Sequence, residues 1–194
     1  MGPVVLGAWL AVLLVALLPA FDIAVNVMSQ LVTAFLPPRV LPKLDFRRNG
    51  VPEDCRTAVV IPTLFGDVDA VEAAISNLEV QYLANRDDHL HFALLSDFTD
   101  APTEHREGDD AVLAAAIAGV RALNSRHAPA TRDTFFLFHR PRQWNAQQGT
   151  WMGWERKRGK LAQFNHFLRG GARDAFSAIE GEPAPLARVR YVIT

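Results

Sequence analysis

The first 38 residues carry a single charged side chain, Asp22, whereas the rest of the 194-residue chain has an ordinary mixture of charged and apolar residues. Residues 3–19 contain no charge and are rich in leucine, valine and alanine, and the uncharged run continues to Phe21. In a helix, about twenty such residues span a hydrocarbon core of roughly 30 Å. The segment therefore predicts a membrane helix. A cleaved signal peptide is the alternative, but Met1-Gly2-Pro3 lacks the basic start typical of one.

The segment from Phe21 to Leu36 has a different pattern, because polar residues recur at helical spacing opposite an apolar face. It predicts an amphipathic helix that either lies in the membrane interface or packs on a neighbouring membrane helix, and the residues favour neither. Pro37 and Pro38 are expected to end this helix. Residues 1–38 are thus predicted to form transmembrane and amphipathic membrane-proximal helices.

Residues 39–57 form a predicted basic linker. Its first part has four cationic side chains against one acidic side chain, Asp45; the cations are Arg39, Lys43, Arg47 and Arg48. An excess of positive charge next to a membrane helix favours the cytoplasmic side. Cys55 is the one cysteine of the chain, so no internal disulfide can form, as is usual for a cytosolic domain. The soluble part is therefore predicted to face the cytoplasm.

Beyond the linker, strand-like and helix-like patterns alternate. Apolar runs predict strands at 58–62, 90–95, 134–138 and 189–194, and apolar stripes predict helices at 68–83, 109–126 and 160–168. Either Asp67 or Asp69 is placed to cap the first of these helices. This order predicts an α/β fold in residues 58–194, with a mainly parallel sheet and helices on both faces.

Polar residues follow three of the predicted strands: Thr63, then Ser96, Asp97 and Asp100, then His139 and Arg140. Ligands of parallel α/β sheets bind at the carboxyl ends of the strands, so these side chains are expected to converge at one rim. Ionised aspartate offers only hydrogen-bond acceptors, which suit a uracil N–H and a ribose hydroxyl. The alternative is that Ser96–Asp100 is a turn without a ligand, and the residues do not decide between the two.

The segment 140–160 is strongly basic, with Glu155 as its one acidic residue; the cations are Arg140, Arg142, Arg156, Lys157, Arg158 and Lys160. Glycines at 149, 153 and 159 are expected to interrupt regular structure, giving a flexible loop that leads into a helix N-terminus. Such a loop suits a diphosphate. A solvated basic surface or a contact with the inner leaflet is the alternative for 156–158.

Three tryptophans lie in the same segment, Trp144, Trp151 and Trp154. They either stack on sugar rings or anchor the loop, and anchoring is the favoured interpretation. The six histidines show no zinc-binding spacing. A net charge of −1 and the lack of a recognised module argue against nucleic acid as a partner.

Several motifs resemble a known family. The order Val59-Val60-Ile61-Pro62-Thr63, then the segment 94–101, then the segment 159–165 resembles the donor half of processive family-two glycosyltransferases of GT-A fold, the nucleotide-diphospho-sugar transferase type. Two longer runs, Phe35–Asp45 and Met152–Leu161, resemble the cyclic β-1,2-glucan synthases. These are large membrane enzymes that polymerise glucose from UDP-glucose and close the product into a ring.

The resemblance implies a role for each candidate residue. Asp97 is expected to hold uridine or ribose, with Asp100 as the weaker candidate, and Lys160 is expected to face the diphosphate. The remaining substrate-binding candidates are Thr63 at the end of the first strand, Asn165 as an orienting residue, and Arg156 and Arg158 as further phosphate contacts. The residues present identify no catalytic side chain.

The resemblance also implies partners and a location. The intact protein is expected to transfer glucose from UDP-glucose to a glucan acceptor, as a multi-pass protein of the bacterial inner membrane. Its Mg²⁺ or Mn²⁺ ion is expected on an Asp-x-Asp pair downstream of Thr194, so the chain is predicted to be an incomplete, inactive fragment that works with the remainder of its polypeptide and the lipid bilayer. Two alternatives stay open: a non-catalytic nucleotide-sugar-binding or regulatory module of another membrane polysaccharide synthase, and a membrane-anchored interaction protein.

Overall fold

The computed structural model describes residues 2–36, 46 and 49–194, which divide into two compact units with the boundary between Asp45 and Phe46. This boundary falls inside the predicted linker at residues 39–57. The charges on which the predicted cytoplasmic orientation depends, Arg39, Lys43, Arg47 and Arg48, lie outside the described residues.

Over residues 2–36, the described part of the N-terminal unit, the chain forms one helix, α1, from Pro3 to Phe35. Its part from Val5 to Phe35 is long and apolar enough to cross a membrane. The separate transmembrane and amphipathic helices expected from the sequence are therefore one continuous helix. Pro19 lies within α1, and the helix continues through it. A single proline removes one backbone hydrogen bond, which does not force a helix in an apolar setting to end. The helix stops at Phe35, two residues before Pro37, as the proline pair predicts.

Two polar side chains in the second half of α1 form hydrogen bonds with the helix itself. The Asn26 amide donates to the Asp22 carbonyl at 2.9 Å, and the Thr33 hydroxyl donates to the Ser29 carbonyl at 2.8 Å. Asn26, Ser29, Gln30 and Thr33 line one shallow groove on the helix, which confirms the predicted polar face. Internal hydrogen bonds of this kind lower the cost of placing polar groups in an apolar environment.

The second unit contains an α/β fold. Its helices and strands, in chain order, are β1 Thr57–Phe65, α2 Val68–Ala84, β2 Leu90–Phe98, α3 Asp109–His127, β3 Phe135–Arg140, β4 Gln143–Asn145, β5 Thr150–Met152, α4 Arg156–Leu168, β6 Ala178–Glu180 and β7 Tyr191–Ile193. Two short 3₁₀ helices cover Glu53–Cys55 and Ala184–Arg188. The Asp67 carboxylate accepts a hydrogen bond from the Ala70 amide at 2.8 Å, so Asp67 is the cap of α2.

The main sheet has the order β6-β3-β2-β1-β7. Strands β3, β2, β1 and β7 are parallel, and β6 pairs antiparallel with β3 at the edge. Helices α2 and α3 cover one face around a core that includes Phe92, Leu94 and Leu137. Helix α4 covers the other face, where Phe164 packs against Phe138. The prediction of a mainly parallel sheet with helices on both faces is confirmed.

The structure corrects several element boundaries. Strand β3 continues to Arg140 rather than ending at 138, and α4 begins at Arg156 rather than Lys160. The segment between them is not a flexible loop, since β4 and β5 form an antiparallel hairpin there. Each of these two strands is three residues long, too short for an alternating pattern to stand out. Strand β6 is equally short and was also not predicted.

Candidate functional site

A buried ion pair joins the carboxyl ends of two neighbouring strands. Asp97 lies near the end of β2 and Arg140 ends β3, and the two residues are directly opposite in the strand register. The Arg140 Nε donates to Asp97 Oδ1 at 2.7 Å and its Nη2 donates to Oδ2 at 2.8 Å. Asp97 and Arg140 are 1% and 2% exposed, so this is a two-pronged ion pair inside the protein.

Lys160 adds a second cation to this pair from the first half of α4. Its Nζ lies 3.2 Å from Asp97 Oδ2 and donates a hydrogen bond to the backbone carbonyl of Thr63 at the end of β1. Burial lowers the pKa of the Lys160 ammonium, and the Asp97 carboxylate acts in the opposite direction. The structure thus brings Thr63, Asp97 and Lys160 together from three elements. We call Asp97, Arg140 and Lys160 the rim cluster.

Arg140 also attaches the start of α4 to the sheet. Its Nη1 donates to the Trp154 carbonyl at 3.0 Å and to Gln163 Oε1 at 2.6 Å, and its Nη2 lies 3.3 Å from the Arg156 carbonyl. A guanidinium has five N–H donors in a fixed plane, which allows one side chain to hold several partners at once. Arg140 therefore fixes both the Asp97 carboxylate and the backbone of the basic segment.

Two of the glycines are required by close contacts around the rim cluster. A Cβ atom on Gly153 would lie 2.2 Å from Asp97 Oδ2, and a Cβ atom on Gly159 would lie 2.1 Å from the Trp154 carbonyl oxygen. Gly159 lies within α4 rather than interrupting it. Between these glycines, Glu155 and Arg156 both have a φ of 47°, a conformation that costs energy in residues other than glycine. Backbone strain of this kind is concentrated at functional sites.

Four further charged side chains of the site lie toward solvent and form two ion pairs. Arg156 Nη2 lies 2.7 Å from Asp100 Oδ2, and Arg158 forms an ion pair with Glu155. The Arg158 hydrogen bond holds the pKa of the Glu155 carboxyl below its usual range. Counting Lys157 and the rim cluster, the site combines five cationic and three anionic side chains and has a net positive charge. Such a surface favours an anionic ligand.

Asn165 is separated from the other predicted residues. It is exposed on α4, five residues after Lys160, so the two side chains point to different sides of the helix. Gln163, which is half-buried, occupies the position from which an α4 amide reaches the rim cluster. Sequence reasoning placed Arg140 at the rim but did not identify Gln163; its spacing of three residues from Lys160 was the available signal.

A hydrogen-bonded histidine and an unpaired one lie in the sheet. His139 Nδ1 is 2.8 Å from the Ser96 hydroxyl, while its Nε2 and both ring nitrogens of His91 have no hydrogen-bond partner among the described residues. Burial lowers the pKa of His91 and of His139 to about 4 in each case. Both rings are thus neutral in the folded protein near pH 7.

Because His91 and His139 are buried in their neutral form, we expect the fold to lose stability in mild acid. Each has a folded pKa of about 4 against an ordinary value of 6.5, so its contribution is complete above pH 6.5 and is lost as the pH falls toward 4. The loss amounts to about 3 kcal/mol for each histidine. We expect His91→Leu to raise the free energy of unfolding by about 1 kcal/mol at pH 7.5, because unpaired buried polar atoms are removed, and to flatten its pH dependence.

Urea denaturation at a series of pH values measures this effect. The control is His105→Leu, since that imidazole is 85% exposed and its replacement is expected to leave the pH profile unchanged. An acid loss in His91→Leu equal to that of the unmodified chain would contradict the assignment.

The fold and the site together define an α/β domain with a preformed cationic cluster at the carboxyl ends of its parallel strands, preceded by an apolar helix able to span a membrane. No family model matches the chain. The chain is 42% identical over 188 residues to the cyclic beta-(1,2)-glucan synthase NdvB of Rhizobium meliloti (strain 1021). The resemblance to cyclic β-1,2-glucan synthases predicted from the sequence is confirmed. The aligned region is 97% of this chain but 6% of that synthase.

Proposed function

We propose that this chain is the donor-binding part of a glycosyltransferase of GT-A type, which in a longer protein transfers glucose from UDP-glucose to a β-1,2-glucan. The observation that carries the proposal is the similarity to a glucan synthase along nearly the whole chain. The rim cluster supports it independently, because it lies where nucleotide ligands bind in open parallel sheets. A membrane helix fits a synthase whose polymer is made at a membrane.

The rim cluster retains hydrogen-bonding capacity for such a donor. An ammonium group has three N–H donors, and Lys160 uses two of them, on Asp97 and on the Thr63 carbonyl, which leaves one for a diphosphate oxygen. A carboxylate has about four acceptor positions, and Arg140 and Lys160 occupy three on Asp97. We assign the fourth to a uridine or ribose group. Because Asp97 and Lys160 are 1% and 3% exposed, these contacts require the backbone at Gly153, which lies against the Asp97 carboxylate, to move aside when the donor binds.

The remaining candidates are given supporting roles. Arg156 and Arg158, in the first turn of α4, add positive charge for the diphosphate, and Asp100 holds Arg156 in place. Asn165, on another side of α4, is assigned to orienting the sugar or a neighbouring segment. In the transfer itself, an acceptor hydroxyl attacks the anomeric carbon of glucose, the bond to the diphosphate breaks, and UDP leaves with the electron pair. The positive charge of the site stabilises the departing diphosphate.

A divalent metal does not fit the described residues of this chain. They contain no group of three or more histidine, cysteine, aspartate or glutamate side chains able to hold a metal ion. The nearest acids, Asp97 and Asp100, are paired with arginines. A Mg²⁺ or Mn²⁺ ion and the base that accepts the acceptor proton are therefore assigned to other parts of the longer protein. We also propose that the protein resides in a bacterial inner membrane with this domain in the cytoplasm.

Calorimetric titration with UDP-glucose tests the proposal. We expect Asp97→Asn to weaken binding by about tenfold or more, because a neutral amide no longer balances two buried cations and has one acceptor oxygen fewer. The chain carries the membrane helix, so the titration is done in a detergent without a sugar headgroup.

The matched control is Asp109→Asn. Asp109 accepts two hydrogen bonds from the buried guanidinium of Arg142, so its replacement disturbs a similar ion pair outside the rim cluster. The proposal requires that Asp109→Asn bind UDP-glucose normally. Equal affinities for Asp97→Asn and the unmodified chain, with both shown to be folded by circular dichroism, would contradict it.

A further inference from the structure

A concave site lies beside the rim cluster. It is a cleft of about 510 Å³ between the β4–β5 hairpin and the start of α4, lined mainly by aromatic and amide side chains. We call it the tryptophan cleft, after Trp144 and Trp154. These two residues are 53% and 45% exposed and line the same cleft, and exposed apolar surface that is concentrated in one groove marks an interaction site.

The tryptophan cleft is preformed. Trp151 anchors the hairpin, since its backbone N–H and C=O pair with those of Ala101 at 2.9 and 3.0 Å. Trp144 packs on Trp151 with ring centroids 5.9 Å apart, which holds its ring in place. The Asn145 side-chain oxygen accepts hydrogen bonds from the backbone N–H groups of Gln147 and Gln148, which fixes the turn. Of the two predicted roles, anchoring thus applies to Trp151, while Trp144 and Trp154 keep exposed ring surface.

The chemistry of the lining favours a neutral polyhydroxylated ligand. The side chains of Gln143, Gln147 and Gln148 make no hydrogen bond to any of the described residues and are exposed, so they are available as both donors and acceptors. The two charged residues of the lining are held in ion pairs, Glu155 with Arg158 and Arg156 with Asp100, and Arg156 is the charged residue that the cleft shares with the proposed donor site. Amides and aromatic faces without an uncompensated charge suit sugar rings better than a diphosphate.

One short backbone segment connects the tryptophan cleft to the rim cluster. Trp154 and Arg156 line the cleft, and their carbonyls accept hydrogen bonds from Arg140. Gly153 precedes them with its backbone against the Asp97 carboxylate. A ligand in the cleft therefore lies next to the proposed donor site.

We propose that the tryptophan cleft binds a neutral glucan segment, the acceptor chain of the reaction, by stacking of glucose rings on Trp144 and Trp154. This inference rests on the proposed function for the identity of the sugar. It gives the exposed tryptophans and glutamines a ligand, whereas the proposed donor site gives them no role.

The test is binding of a short linear β-1,2-linked gluco-oligosaccharide to the full chain, without nucleotide, followed by tryptophan fluorescence and calorimetry in a sugar-free detergent. We expect saturable binding, and a loss of about tenfold in affinity for Trp144→Ala, because one stacking face is removed. Trp144 is half-exposed, so circular dichroism is expected to show an unchanged fold. Trp9→Ala, at an exposed tryptophan of α1, is the matched control and is expected to bind normally.

Three outcomes overturn the inference: no oligosaccharide binding by the folded chain, equal affinity for Trp144→Ala, or displacement of the oligosaccharide by uridine, which would make the cleft a nucleoside site. Neither of the first two outcomes depends on UDP-glucose. If UDP-glucose binds and the oligosaccharide does not, the cleft assignment fails alone. If the oligosaccharide binds and UDP-glucose does not, the proposed donor function fails and the cleft remains a saccharide site.

Discussion

Replacing Arg140 by methionine is expected to lower the free energy of unfolding of the α/β unit by about 3–5 kcal/mol. The change leaves the buried Asp97 carboxylate with Lys160 as its one cationic partner and removes the hydrogen bonds to the Trp154 carbonyl and to Gln163. The loss of stability is large because the Asp97 carboxylate stays out of water after its arginine partner is removed. Because the start of α4 is released as well, UDP-glucose binding is also expected to be lost.

The matched control is Arg121→Met. Arg121 pairs with Glu180 through two hydrogen bonds of 2.8 and 3.0 Å, the same pattern as Arg140 with Asp97, but its side chain is 68% exposed. An exposed pair of this kind contributes at most about 1 kcal/mol. Urea denaturation followed by near-ultraviolet circular dichroism measures both variants. Similar losses of unfolding free energy in the two variants would contradict the claim that burial makes the Asp97–Arg140 pair more important for stability than an exposed pair.

The second large effect is expected for Gly153→Ala. The added Cβ would lie 2.2 Å from Asp97 Oδ2 and 2.4 Å from its carboxyl carbon, so either the backbone or the Asp97 side chain must move. Overpacking at a buried site costs about 1–3 kcal/mol, and here it also displaces the carboxylate from Arg140. We expect a loss of about 3 kcal/mol in unfolding free energy and no measurable UDP-glucose binding.

Gly66→Ala is the comparison variant for this experiment. Gly66 follows β1 directly, and a Cβ there would meet the Thr99 methyl at 3.4 Å, an ordinary contact. Its unfolding midpoint is expected to stay near that of the unmodified chain. If Gly153→Ala unfolds at the same urea concentration as Gly66→Ala, the close contact between residue 153 and Asp97 is wrong.

The architecture of the α/β unit was largely predictable because its longer elements have strong periodicity. The apolar runs of β1, β2 and β3 and the stripes of α2 and α3 are long enough to identify, and their order implies a parallel sheet. The three-residue strands carry too little pattern for this. The early start of α4 was missed because Gly159 normally argues against a helix, whereas here its lack of a side chain allows contact with the Trp154 carbonyl.

The candidate site was predictable where it follows from topology. Asp97 and Thr63 lie near the carboxyl ends of parallel neighbouring strands, which placed them together without knowledge of any contact. The partners of Asp97 were harder to predict, because Arg140 and Lys160 reach it through a strand register and a helix position that depend on the complete fold. The positive φ angles of Glu155 and Arg156 leave no signal in the sequence at all.

The central claim is that the rim cluster binds a nucleotide-diphospho sugar, and titration of UDP-glucose into the unmodified 194-residue chain tests it most directly. The account predicts saturable binding that free UDP displaces, since both share the uridine and diphosphate groups. A correctly folded chain that shows no saturable binding of UDP-glucose or of UDP would contradict it.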